Sequence, residues 1–218
     1  MSIPIVPAVI PDSLAAAIEA TKLFRFSHEI HVDVIDGKFV PNVSWPYDPE
    51  GEVIALKPHT DTYTLEVDLM VENPFKAASA WEAAGADMLV FHVETIDLAS
   101  FEDFIEHTGI TVGISFHGDT NIESVLPYIE VADYVQVMGI HTIGAQGQPF
   151  SEETFSKIER IKSEFPGKMI SVDGSVNPNT IKRLAKAGAD RLIVGSAIIG
   201  ADDPHAAYSE LCALVNER

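Results

Sequence analysis

Four side chains with metal-binding or acid–base chemistry stand at or near the ends of short apolar runs. They are His31, Asp33, Asp68 and Asp173. His31 and Asp33 are two residues apart, so within a strand they point to the same face. A single buried aspartate is usually satisfied by hydrogen bonds, but several unpaired carboxylates in one place are costly, and a cation commonly neutralises them. One imidazole with three carboxylates therefore predicts a site for one divalent metal ion, either Mn, Fe, Mg or Zn.

Small residues follow the last two apolar runs of the chain. Gly174 and Ser175 come after one run, and Gly195 and Ser196 come after the next. In barrel enzymes, backbone N–H groups of the loops in these places often bind phosphate. Any one of these glycines is equally compatible with an ordinary turn. The two turns together predict a phosphate site.

The segment 139–150 is polar and contains Gly144 and Gly147. It is compatible with a mobile lid over a substrate or with a passive connector. Three histidines also stand at or after strand ends, and we interpret them as secondary substrate contacts at most. They are His92, His117 and His141.

The elements that must position these residues alternate along the chain. Eight short runs rich in Val, Ile and Leu predict strands buried on both faces, as in parallel sheets. The runs are 5–10, 30–35, 65–70, 88–92, 112–116, 134–138, 169–172 and 192–194. Amphipathic segments lie between them, and four begin with a capping signal. The signals are Asp12-Ser13, Asn73-Pro74, Thr120 with Glu123, and Asp203-Pro204.

An Ala-Gly-Ala-Asp sequence occurs twice between a predicted helix and a predicted strand, at 84–87 and 187–190. Residues 131–133 form a degenerate third copy. Eight strand–helix units without a linker predict one domain over residues 1–218, folded as a (β/α)8 TIM barrel. The rival architecture is an open doubly wound sheet.

Composition narrows the function classes. The chain has 14 basic and 33 acidic residues among 218, a net charge of −19, which disfavours nucleic-acid and anionic membrane partners. No apolar stretch approaches the length of a membrane span, and no signal peptide is visible. Cys212 is the single cysteine, so no internal disulfide is expected. We expect a cytoplasmic protein, and the sequence leaves a homo-oligomer open.

Five segments, in order along the chain, resemble the ribulose-phosphate 3-epimerase family. They are HVDVIDGKFVPN at 31–42, LMVENP at 69–74, HVE at 92–94, VDGSVN at 172–177 and GSAIIG at 195–200. The resemblance implies a barrel of the ribulose-phosphate-binding type. It also implies a metal-dependent epimerase that inverts the C3 centre of a ketose phosphate such as D-ribulose 5-phosphate.

The resemblance further assigns roles to residues. It implies that Asp33 and Asp173 are the acid and base on opposite faces of the substrate. Met70 and Met138 would line the site, and backbone amides of the late loops would hold the phosphate. We expect the segment 144–147 to close over the phosphate.

The sequence departs from the family pattern at several positions. The family usually has serine at the position of Ala8, histidine at Asp68, methionine at Ile35 and glycine at Ser175. If Asp68 is a metal ligand, the ligand set gains one negative charge, which predicts a preference for manganese, magnesium or ferrous iron over zinc. The alternative is that Asp68 and Ala8 mark the loss of the metal site.

Three competing functions stay open at this point. One is an epimerase of another ketose phosphate, of the allulose 6-phosphate type. Another is a decarboxylase or aldol-type lyase of the same barrel group, which we rank lower because no predicted strand end carries a lysine. The third is a non-catalytic or metal-independent barrel that binds a phosphorylated metabolite.

Overall fold

Eight parallel strands form a closed barrel in which each strand pairs with the next and the last pairs with the first. The strands are β1 (Ile5–Val9), β2 (Glu29–Ile35), β3 (Thr64–Met70), β4 (Met88–His92), β5 (Thr111–Phe116), β6 (Tyr134–Met138), β7 (Met169–Asp173) and β8 (Arg191–Val194). The structure is a computed structural model and describes residues 2–145 and 147–216. The predicted (β/α)8 barrel is confirmed. The rival open sheet is wrong, because this sheet closes on itself.

The strands agree with the sequence-based prediction to within one residue at either end. Their continuous apolar character has a simple cause, since nearly every strand residue is buried, whichever face of the sheet it lies on. One difference matters for the site. β7 extends to Asp173, so this carboxylate is carried by a strand rather than by a loop.

Helices follow the strands along the chain. They are α1 (Leu14–Leu23), α2 (Lys57–Thr60), α3 (Pro74–Ala83), α4 (Leu98–His107), α5 (Ile122–Val131), α6 (Glu153–Glu164), α7 (Ile181–Ala187), α8 (Ser196–Ile199) and α9 (Pro204–Asn216). Within the described residues, none of them has both the length and the apolar character needed to cross a bilayer.

The aspartate of each Ala-Gly-Ala-Asp repeat links the segment before one strand to the start of the preceding strand. Each repeat aspartate accepts a hydrogen bond from the backbone N–H of a residue in the preceding strand, and its own N–H donates to the carbonyl of that residue. The pairs are Asp87 with Leu65, Asp133 with Val112, and Asp190 with Ile170. The degenerate third copy therefore makes the same contact. Gly85 and Gly188 have φ of 95° and 110°, the left-handed conformation that ends a helix.

One predicted capping box is wrong. The residue that caps α5 is Asn121, whose side chain accepts from the N–H of Glu123 at 3.1 Å. The hydroxyl of Thr120 instead donates to Glu94, which ties the β5–α5 connection to the segment after β4. The prediction at Ser13 is confirmed, because its hydroxyl caps α1.

The long segment between β2 and α2 folds back over the barrel. Trp45 is buried in it and meets Trp81 of α3 edge-on, with ring centroids 5.9 Å apart. Asn42 donates through its side-chain amide to the carbonyl of Gly144 at 2.7 Å. The two irregular segments that follow β2 and β6 therefore meet at the carboxyl end of the barrel, where barrel enzymes place their chemistry.

Candidate active site

The four predicted metal ligands lie together inside the carboxyl end of the barrel. One ligand atom from each of His31, Asp33, Asp68 and Asp173 lies within 4.8 Å of every other. The parallel register explains the meeting, because Asp33 of β2 pairs directly with Asp68 of β3. His31 and Asp68 are fully buried, whereas Asp33 and Asp173 keep some contact with the pocket.

Crowding changes the protonation of this cluster. Burial of Asp173 away from bulk water raises its pKa, and the negative charge of the neighbouring Asp33 raises it further, to about 8. Burial also raises the pKa of Asp33, although His31 opposes that rise. Burial alone lowers the pKa of His31, but Glu66 and Asp33 raise it well above its ordinary value overall. Two adjacent carboxylates that resist joint ionisation can hold one proton near neutrality, the state that an acid–base pair requires.

Glu66, which was not predicted from the sequence, orients His31 from the side facing the amino end of the barrel. Oε2 of Glu66 lies 2.5 Å from Nδ1 of His31, and both oxygens accept from Nη1 of Arg191, at 2.7 and 2.8 Å. The hydroxyl of Tyr134 donates to the other carboxylate oxygen at 2.5 Å. Strand alternation could have identified Glu66, since it stands two residues before Asp68 and faces the same way.

A glycine makes this buried network possible. A Cβ atom at Gly113 of β5 would lie 2.3 Å from Cζ of Tyr134, a distance that no real side chain tolerates. The tyrosine ring therefore occupies the space that a side chain on β5 would need. The sequence signal is a glycine inside an otherwise apolar strand, which indicates a close approach.

Asp68 is held on its other side by two more buried groups. Nε2 of His92 lies 2.8 Å from Oδ1 of Asp68, and Nε2 of Gln136 donates to Oδ2 at 2.7 Å. His92 is fully buried behind Asp68 and is not among the residues that line the pocket, so its side chain contacts Asp68 rather than the pocket. His117 and His141 do not line it either.

The donor set fits a divalent cation. Imidazole nitrogen and carboxylate oxygens suit the first-row divalent metals and magnesium. The four groups converge to within one coordination sphere, and Nδ1 of His31 is already bonded to a carboxylate, which leaves Nε2 facing the cluster. Three carboxylates lie close together here, and burial together with the charge of Asp33 raises the pKa of Asp173; a bound cation would relieve the repulsion between them.

A pocket opens beside the cluster. Asp33 and Asp173 face it, and so do all eight residues that were predicted to contact substrate. These are Met70, Met138, Gly144, Gly147, Gly174, Ser175, Gly195 and Ser196. The other lining residues were not individually predicted to contact substrate, although Ala145 lies in the predicted lid segment 144–147. These are Ala8, Ile10, Ile140, Ala145, Gln148, Val176 and Ile193.

The turn after β7 has an unusual backbone. Gly174 has a φ of 97°, and Ser175 has a φ of 55°, the single positive value for a described non-glycine residue. Positive φ at such a residue is uncommon, and strained backbone clusters at functional sites. Ser175 also donates through its hydroxyl to the carbonyl of Gln148 at 2.6 Å, which fixes the end of the β6–α6 segment against this turn.

The predicted lid segment, residues 144–147, forms one wall of the pocket through Gly144, Ala145 and Gly147. Gln146 lies outside the described residues. A Cβ atom at Gly144 would lie 2.6 Å from Cγ2 of Val40, so the segment packs closely on the connection after β2. Among the described lining residues there is no lysine.

The family model and the curated relatives that this chain matches agree on one family. The model of the "Ribulose-phosphate 3 epimerase family" matches residues 5–199. The cytoplasmic isoform of ribulose-phosphate 3-epimerase from Oryza sativa subsp. japonica is 32% identical over 214 residues, covering 95% of this chain and 92% of the rice protein. Ribulose-phosphate 3-epimerase from Chlamydia muridarum is 32% identical over 201 residues, covering 88% and 86%.

Solved structures support the fold. A 3-keto-L-gulonate-6-phosphate decarboxylase from Vibrio cholerae superposes with a TM-score of 0.73 at 16% identity, covering 100% of both chains. A 3-hexulose-6-phosphate synthase superposes with a TM-score of 0.71 at 23% identity, covering 99% of this chain and 100% of the other. At such identities the likeness concerns the barrel alone.

Proposed function

Because the chain belongs to the ribulose-phosphate 3-epimerase family, an isomerase family acting on carbohydrates, we propose that it inverts the C3 centre of D-ribulose 5-phosphate. One observation carries the assignment of residues. Asp33 and Asp173 both face the same pocket, from strands that β1 and β8 separate, and both have raised pKa values. Two carboxylates on different sides of a bound sugar phosphate can serve its two faces.

Asp33 and Asp173 divide the proton transfer. One carboxylate removes the C3 proton from one face, while the other, still protonated, delivers its proton to the opposite face. In the metal-free cluster, burial and the neighbouring Asp33 raise the pKa of Asp173 to about 8, so Asp173 holds a proton more readily than an isolated aspartate does. In the reverse direction the two groups exchange roles.

A cation would be held by His31, Asp33, Asp68 and Asp173. When bound, it would supply electrostatic stabilisation for the negative charge that develops on the carbonyl side of the substrate as the C3 proton leaves. Glu66 contributes by fixing His31 through Nδ1, which directs Nε2 at the cluster. We propose one divalent ion, and we favour manganese, magnesium or ferrous iron over zinc because three of the four ligands are oxygen donors.

The phosphate group would bind to the backbone amides of Gly174, Ser175, Gly195 and Ser196. These residues line the pocket, and no basic side chain is among the described lining residues. Amide dipoles suit an anion in a chain of net charge −19, because they act locally. Met70 and Met138 line the pocket near the carboxylates and would exclude water from the reacting carbon. The segment 144–147 would close over the phosphate.

A panel of ketose phosphates tests the substrate. We expect D-ribulose 5-phosphate to be epimerised with a kcat/KM at least about tenfold above that of D-allulose 6-phosphate, measured by NMR of the products. A higher value for the six-carbon substrate would move the assignment to a hexulose phosphate epimerase. Binding of both substrates without turnover by metal-loaded protein would favour a binding protein instead.

A further inference from the structure

The Asp68 carboxylate is held at both oxygens by residues from two other strands. His92 of β4 lies 2.8 Å from Oδ1, and Gln136 of β6 donates to Oδ2 at 2.7 Å. All three side chains have no exposed surface. The contact between β3 and β6 crosses the barrel interior, because these strands are not neighbours in the sheet.

The two hydrogen bonds leave the carboxylate able to bind a cation. An ionised carboxylate offers about four acceptor positions, and two N–H donors occupy only one position on each oxygen. One Asp68 oxygen also belongs to the cluster whose ligand atoms lie within 4.8 Å of one another. The donors therefore fix the direction of the carboxylate without using up its capacity as a ligand.

The orientation of Gln136 follows from the same geometry. If its amide were turned over, Oε1 would face the Asp68 oxygen, and two acceptors would oppose each other in a buried site. With Nε2 toward Asp68, Oε1 has no hydrogen-bond partner among the described residues. The Gln136 amide therefore keeps the hydrogen bond from Nε2 to Asp68 and leaves Oε1 without a hydrogen bond.

We propose that His92 and Gln136 are positioning residues that hold Asp68 as a metal ligand in the place where the resembled family usually has histidine. An imidazole is a rigid ligand with one free nitrogen, whereas a carboxylate can turn and can bind through one or both oxygens. Two fixed donors remove that freedom. This inference rests on the proposed function, since it assumes that the cluster binds a divalent cation.

Manganese binding to chelator-treated protein tests the proposal without any substrate. Gln136→Leu keeps most of the side-chain volume and removes the donor. We expect its Kd for Mn²⁺, measured by calorimetry, to be about 10- to 100-fold higher than that of the wild type. His92→Leu should have the same effect. Ser115→Ala is the matched control, because Ser115 lies between these residues on β5, is fully buried, and its hydroxyl makes no hydrogen bond among the described residues.

A double-variant comparison separates positioning from a general structural role. In an Asp68→His background there is no carboxylate to hold, so adding Gln136→Leu should change the Mn²⁺ affinity less than about threefold. The Asp68→His protein could fail to fold, because two N–H donors would face the new imidazole. In that case the double variant, Asp68→His with Gln136→Leu, is compared with the single variant Gln136→Leu. The double variant should then bind more tightly. Melting temperatures of the metal-free proteins monitor folding.

The outcomes distinguish this inference from the function on which it rests. A folded Gln136→Leu protein with wild-type Mn²⁺ affinity would overturn the positioning role while leaving the metal site in place. If Gln136→Leu lowers the affinity equally in the wild-type and Asp68→His backgrounds, the positioning role is overturned too. A wild type that binds no Mn²⁺ would overturn the metal site and this inference together.

Discussion

The Glu66 carboxylate lies 2.5 Å from Nδ1 of His31, in a part of the barrel where both side chains are fully buried. Arg191 donates to the same carboxylate, so a series of hydrogen-bonded charged side chains runs from the amino end of the barrel to the four candidate metal ligands. Burial alone would raise the pKa of Glu66, but Arg191 and His31 lower it overall to well below its ordinary value. The network therefore has consequences for stability as well as for the ligand.

Glu66→Gln should destabilise the metal-free protein by about 3–5 kcal/mol at pH 7, since it leaves Arg191 buried without its main partner. The folded-state pKa of Glu66 is lowered, so its contribution is complete above the unfolded value near 4.5 and is lost as pH falls below it. Urea unfolding should show the difference from wild type shrinking by about 1 kcal/mol between pH 7 and about pH 3.5. Glu29→Gln, at the more exposed end of Arg191, should show a smaller cost. A difference that does not change with pH would contradict this account.

Asp33→Asn and Asp173→Asn should each lower kcat for epimerisation by about 10²- to 10⁴-fold or more, because each removes one of the two proton-transfer groups. Substrate should still bind, and each variant should exchange the C3 hydrogen of one epimer with solvent but not of the other. Asp119→Asn, on the exposed segment after β5, is the control and should keep normal turnover. Near-normal turnover in either site variant would remove the two-base mechanism.

Gly195→Val should raise KM by at least about tenfold, because a side chain would enter the place where the phosphate is expected. The fold should persist, which circular dichroism checks. Gly167→Val is a matched control, since a Cβ atom there meets no atom within 4 Å and Gly167 lies on the connection before β7. An unchanged KM in Gly195→Val would contradict the phosphate assignment.

Protein purified without chelator should contain about one divalent ion per chain, measured by elemental analysis, with manganese, magnesium or iron exceeding zinc. Asp68→Ala should lose most of this metal, since it removes one of four converging ligands. Zinc as the bound ion would contradict the preference that Asp68 implies. Full metal content in Asp68→Ala would show that Asp68 is not a ligand.

The sequence predicted the residues that touch the pocket better than the residues that support them. Strand alternation and the turns after β7 and β8 identify Asp33, Asp173 and Gly174, because these positions follow from local periodicity. Gln136 gave no such signal. It is an uncharged residue in a buried strand, and its partner Asp68 becomes a neighbour only when the barrel closes.

Local hydrogen-bond competition explains a second kind of error. The spacing of Thr120 and Glu123 matches a capping box, yet Asn121 caps the helix because Glu94, distant in sequence, accepts the Thr120 hydroxyl. Likewise, His92 stands at a strand end, where a histidine often contacts substrate. Its partner Asp68 lies on the neighbouring strand β3, and the register that brings the two together is not visible in the local sequence.

In the proposed mechanism, two carboxylates acting from different sides invert the C3 centre. The direct test is a short reaction of metal-loaded protein with D-ribulose 5-phosphate in D₂O, analysed by ¹H NMR before the reverse reaction contributes. The account predicts the C3 epimer with one deuterium at C3, because the group that delivers the new hydrogen carries a solvent deuteron. An epimer that keeps the original hydrogen at C3, or the absence of any epimer, would contradict it.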